Sequence, residues 1–168
     1  MRTGTYSIWG GSPADMCTSN NFWGCERSAA GGNMINPIMS SRLRTVNSFS
    51  LTYGKVEVRA QLPKGDWIWP AIWMLPKHNE FGLWPASGEI DIMESRGNDC
   101  DGGNKKFGST LHWGPDFFGN RYDLTTKEYI SDKSLADDFH TYGLIWSKEG
   151  LKTYIDNEDN VVLNVDFT

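Results

Sequence analysis

Nowhere in the 168 residues does an apolar run approach the ~20 side chains of a membrane span, so no membrane partner is expected. No run of lysines and arginines occurs either. Sixteen basic residues against 21 acidic ones give a net charge of −5 and a pI near 5.1. That balance argues against nucleic acid or an anionic surface as partner. The opening residues MRTGTYSIWGG hold no apolar signal core, and no N-x-[ST] acceptor site occurs anywhere. Cysteine is sparse. Cys17 and Cys25 bracket the loop CTSNNFWGC, which a disulfide could close with modest entropic benefit; the alternative is a pair of free thiols in a cytosolic chain. Cys100 is then left over, either free or awaiting a partner from outside this sequence. Internal repeats and low-complexity tracts are also missing, which excludes solenoids and arrays.

What the chain does have is aromatic residues and turn formers: 8 Trp, 6 Tyr and 8 Phe, with 18 Gly and 7 Pro. This composition points to an all-β chain of many short strands, long enough for one domain with a core. Residues 1–36, rich in Gly, Ser and Asn, read as a long loop, and INPIMSSRLRT (35–45) as an extended segment entering a sheet. YGKVEVRAQL (53–62) is the clearest strand, with Val56, Val58, Ala60 and Leu62 facing a core. WIWPAIWML (67–75) is almost wholly apolar, and its internal Pro argues against a helix, so a buried strand with a loop before it is expected. GSTLHW (108–113) reads as a strand with Thr110 and His112 on one face. Residues 96–107 and 114–123 read as loops, and 134–140 as a helical turn or loop. Residues 141–147, 151–156 and 161–165 read as strands joined by tight turns.

The organising stretch is WPASGEIDIMESRGN (84–98). Ile90 and Ile92 alternate with Glu89 and Asp91, giving one apolar and one acidic face. Strict alternation would send Glu94 to the apolar side, where an unpaired carboxylate costs roughly 2–7 kcal/mol. One extra residue, a β-bulge near Met93, returns Glu94 to the acidic face. The backbones of Glu89 and Glu94 are then roughly 13 Å apart at ~3.3 Å per residue. Inward-leaning side chains can close this to the ~5–5.5 Å of a retaining glycosidase pair. Asp91 lies between them and can hold the two glutamates at different pKa values. Two plainer readings stand beside this: a solvated acidic face, or oxygen ligands for Ca²⁺ or Mg²⁺. The neighbourhood favours a sugar cleft, because Trp67, Trp69, Trp73 and Trp84 lie just upstream. Indole faces stack on pyranose C–H faces while carboxylates take the hydroxyls.

The stretches GDWIWPAIWMLP, WPASGEIDIMESRGN, STLHWGP and DFHTYGLIW, with WGGSPADMCTSNNFWGCER and YGKVEVRAQLPKG upstream, resemble the invertebrate members of glycoside hydrolase family 16. These are β-1,3-glucanases (laminarinases) and the related β-1,3-glucan and lipopolysaccharide binding proteins of innate immunity. The resemblance implies a concanavalin A-like β-jelly-roll sandwich and retaining endo-hydrolysis of β-1,3-glucosidic bonds without a cofactor or metal. The binding proteins of the group imply the alternative of glucan or lipopolysaccharide recognition without turnover. Carried over by position, Glu89 is similar to the nucleophile, Glu94 to the general acid/base, and Asp91 to the residue that tunes them. His112 corresponds to a hydrogen-bonding neighbour, Trp69, Trp73 and Trp84 to cleft aromatics, and Arg42 to a basic contact for sugar hydroxyls. The resemblance further implies an extracellular protein. It covers 1–168 as one partial catalytic domain, an internal fragment lacking the family's first and last strands. A jelly roll stripped of outer strands exposes unpaired edges, which argues against its folding or acting alone.

Overall fold

The computed structural model describes residues 4–17, 20, 23–35 and 40–168. The chain divides into two compact units, Met1–Leu43 and Arg44–Thr168. In the first, β1 (Thr5–Ser7) pairs antiparallel with β2 (Glu26–Ser28). A disulfide joins Cys17 and Cys25 across a Cα–Cα distance of 5.5 Å. The Asn20 side-chain oxygen accepts from the N–H groups of both Cys25 and Glu26, fixing the entry to β2. The reading of 1–36 as loop therefore misses a hairpin. Its three-residue strands are mostly exposed and carry no apolar alternation to detect. Of the extended segment expected at 35–45, positions 36–39 lie outside the described residues. The remainder forms no strand, and with Leu43 96% exposed it has no apolar face to pack.

The second unit holds β3 (Gly54–Ala60), β4 (Ala71–Met74), β5 (Glu89–Ser95), β6 (Lys106–His112), β7 (Thr126–Ile130), β8 (His140–Trp146), β9 (Gly150–Ile155) and β10 (Val161–Asp166). They form two antiparallel four-stranded sheets, ordered β10-β9-β8-β3 and β4-β5-β6-β7. The sheets lie face to face, β8 over β5 and β10 over β7. Between them sit Ile90, Ile92, Met93, Phe107, Tyr142, Leu144, Leu151, Ile155 and Leu163. The all-β class expected from composition and pattern, and the sandwich that the family resemblance implied, are the observed architecture. In β3, Val56 and Ala60 pack on this core as the alternation required, and Leu62 joins it just beyond the strand.

Two local expectations need correction. The segment 67–75 is not a buried strand throughout: only Ala71–Met74 pair, while Trp67 and Trp69 are 80% and 61% exposed. Pro70 has no N–H for a ladder, and Trp67 takes a left-handed φ of 60°, so the chain turns before pairing begins. The loop read at 96–107 contains a 3-10 helix, Cys100–Lys105, and β6 starts at Lys106. Strand β7 was not anticipated, because TKEYI at a sheet edge is largely exposed and its charges mask the period.

Candidate active site

The register of β5 fixes where its acids point. On one side Asp91 pairs with Thr110 and Glu94 with Gly108, so three steps along β5 match two along β6. On the other side Ile72 pairs with Met93 and Trp73 with Asp91, again leaving one residue of β5 in excess. This is a β-bulge at Ile92–Met93, at the position parity required. Both bulge side chains enter the core, each 1% exposed. Glu89, Asp91 and Glu94 stand opposite His112, Thr110 and Gly108. Those β6 positions alternate with the core-packed Phe107 and Leu111, so all three acids share the face turned away from the core. Trp73, paired with Asp91, shares that face and is half-buried.

Crowding governs the electrostatics. Asp91 is 2% exposed, and Glu89 and Glu94 are half-buried on either side of it. Burial, and next the charge of Asp91, push the Glu89 carboxyl up to about 7. The Trp84 indole N–H opposes this by donating to Glu89 Oε2. The same two causes raise Glu94, opposed by Trp69, Arg96 and His112. His112 Nε2 lies 3.1 Å from Asp91 Oδ2, close enough for an ion pair. The approach is off-axis, so this buried oxygen lacks a well-aligned donor. Asp91 raises the imidazole pKa. Asn120 works the other way: its amide NH₂ lies 2.9 Å from His112 Nδ1 and can only donate, which places the neutral ring's proton on Nε2, toward Asp91. The Tyr122 N–H, donating to Asn120 Oδ1 at 3.3 Å, sets that orientation.

Aromatic rings continue the site from both glutamates. Beside Glu89, Trp84 lies against His112 at 5.4 Å and Phe117 at 5.9 Å between centroids, and Tyr122 lies against His112 at 5.5 Å. Near Glu94, the Arg96 guanidinium sits 4.0 Å from the Trp69 ring centroid. A hollow of about 610 Å³, lined by Trp67, Trp69, Arg96 and Asn98 among others, opens there. Gly97 allows this arrangement, since a Cβ at that position would come 2.5 Å from the Gly65 carbonyl oxygen. Arg42 belongs to the first unit and is exposed. Phe117, Asn120 and Tyr122 were missed in the sequence because residues 114–123 carry no periodicity, and Arg96 because it opens the stretch 96–107 that read as a loop. The DFFGNRY run was the one available signal. Among the described residues no group of three His, Cys, Asp or Glu side chains is arranged to hold a metal ion.

The sequence model of the family described as "Glycosyl hydrolases family 16" matches residues 11–166. A "Beta-1,3-glucan-binding protein" of Penaeus monodon is 50% identical over 170 residues, covering 99% of this chain and 46% of that protein. A "Glucan endo-1,3-beta-glucosidase" of Cryptopygus antarcticus is 40% identical over 132 residues, covering 76% of this chain and 46% of that protein. Among solved structures, the laminarinase from Rhodothermus marinus superposes with a TM-score of 0.61 at 32% identity, over 73% of this chain and 47% of that one. The chain thus spans about half the length, or less, of the curated relatives it matches.

Proposed function

The chain belongs to glycosyl hydrolase family 16, and from that premise we propose that the protein is a retaining endo-hydrolase of β-1,3-glucans. The observation that carries the reading is the bulged strand that sets Glu89, Asp91 and Glu94 on the one face turned away from the core. Glu89 attacks the anomeric carbon while Glu94 protonates the leaving glycosidic oxygen. A covalent glycosyl-enzyme forms, and Glu94, now a base, takes a proton from the water that releases it. Burial and the charge of Asp91 make Glu89 hold its proton to higher pH, and Glu89 is the nucleophile once that proton has left. A pKa near 7 would by itself also suit Glu89 to the acid's part. Its assignment as nucleophile follows the family pattern carried onto these positions. The exposed rings of Trp69 and Trp84, with Trp73, supply faces for glucosyl units. The family match runs across both units, and we take residues 1–168 as part of one catalytic domain. The disulfide supports an extracellular site of action.

The full protein should release reducing ends from laminarin, and Glu89→Gln should lower that rate about 10³-fold or more. A 2-deoxy-2-fluoroglucoside of laminaribiose should leave its label on Glu89. Wild-type release by Glu89→Gln would defeat the assignment.

A second reading is favoured by the printed name of the Penaeus relative: a recognition protein that grips β-1,3-glucan without useful turnover. The name "Gram-negative bacteria-binding protein 2" of a Drosophila melanogaster relative adds lipopolysaccharide as a further ligand to test. Pull-down on insoluble curdlan beside the reducing-sugar assay separates the two readings, because retention with no release favours recognition.

A further inference from the structure

The bulge in β5 leaves Ile92 without a Cα partner in either neighbouring strand. Its carbonyl oxygen is nevertheless satisfied inside the core. Ser109, the β6 residue opposite the bulge, donates its hydroxyl to Ile92 O at 2.7 Å. Thr153, on β9 of the opposite sheet, donates its own hydroxyl to Ser109 Oγ at 2.8 Å. Thr153 Oγ1 in turn accepts the Leu163 N–H at 3.2 Å. Leu163 follows a second irregularity, where β10 advances two residues against one of β9 and Val162 is left over. A one-way chain of hydrogen bonds therefore runs across the sandwich from a bulge in one sheet to a bulge in the other. Ser109 and Thr153 are each 0% exposed.

Two hydroxyls at the centre of an apolar core need a reason. Replacing a bonded pair by apolar groups of the same shape is nearly neutral for stability, so net stability is not their main contribution. Directional bonds in a low-dielectric interior do fix geometry, and in series they reinforce one another. The geometry fixed here is the peptide of Ile92, two residues before Glu94. Turning that carbonyl swings the backbone that aims Glu94, and a misplacement of ~1 Å at a reacting group costs about 10²-fold in rate.

We propose that Ser109 and Thr153 are positioning residues that hold the β5 bulge, and with it Glu94, in register with Glu89. The inference rests on the hydrolase reading above and extends it to residues that never meet substrate. In the full protein, Ser109→Ala and the shape-preserving Thr153→Val should each lower kcat on laminarin about 10- to 100-fold, with KM within about twofold. The limb of the pH–rate profile that reports Glu94, whose charged neighbours are Asp91, Arg96 and His112, should move as well. Thr153→Ser keeps the hydroxyl and should stay at wild-type values. If both hydroxyl-deleting variants keep wild-type kcat and pH profile while losing thermal stability, the role is structural and the proposal fails. Should Ser109→Ala not fold, the Thr153 pair decides. If the wild-type protein has no turnover, the hydrolase reading fails by itself. The positioning claim is then read from the ¹³C carboxyl titration of Glu94: a change in Thr153→Val that Thr153→Ser restores upholds it, and an unchanged titration overturns it.

Discussion

Glu89 is a residue whose function works against the fold. Its carboxyl, ordinarily near 4.5, is pushed up to about 7 by burial and by Asp91. Between those two pH values the folded protein keeps a proton that the unfolded chain has released. Stability therefore falls as pH rises through that window, and the full penalty is present above it. Glu89→Gln removes the group and should stabilise the protein at pH 8 by about 1 kcal/mol, a figure already reduced for the solvent screening of a half-exposed side chain. At pH 4 the variant and the wild type should melt together. Thermal melts at the two pH values check this, and an equal difference at both would show that burial of charge is not the cause. The three acids could be named from the sequence because carboxylates alternating with isoleucine are conspicuous. Asn120 and Tyr122 could not, because their roles depend on a loop folding back over His112.

At the scale of the element, one surplus residue in β5 decides what the strand does. Strict period-2 alternation cannot place Glu89, Asp91 and Glu94 together; the bulge at Ile92–Met93 does so while sending both of its side chains into the core. Deleting Met93 should remove the bulge, because simple alternation then keeps Glu94 on the face of Glu89 and Asp91 without it. We expect stability to drop by about 2–5 kcal/mol as a buried methionine leaves the core, and laminarin hydrolysis to fall by no more than about 10²-fold as Glu94 shifts by ~1 Å. Circular dichroism melts and reducing-sugar release measure the two effects. A loss of activity beyond about 10³-fold would mean that Glu94 has left the acidic face and that alternation does not set its direction. The bulge was readable in advance because parity and charge burial conflict within six residues. That Trp67 and Trp69 lie outside the strand was not, since WIWPAIWML has the composition of a core strand and only Pro70 hints that pairing starts late.

For the whole molecule, stability has different sources in the two units. The second carries the apolar core between its sheets. In the first, β1 and β2 are only three residues each, and a disulfide closes the loop beside them. Closing a loop of this size contributes about 2–3 kcal/mol by the chain-entropy estimate. Cys25→Ser, paired with Cys17→Ser, should therefore speed hydrogen exchange of the Thr5–Ser7 and Glu26–Ser28 amides by about 30-fold or more. Exchange at the wild-type rate would show that the hairpin is held by other contacts.

The amino-acid sequence by itself determined the all-β class, the acidic strand with its surplus residue and the family it belongs to. Each of these depends on local period, parity or a contiguous motif, and such features survive without knowledge of distant partners. Tertiary structure alone decided which tryptophans are exposed, which loop reaches His112, and how Thr153 on one sheet supports the bulge in the other. Those contacts join residues far apart in the chain, and only the packing of two sheets brings them within hydrogen-bonding distance.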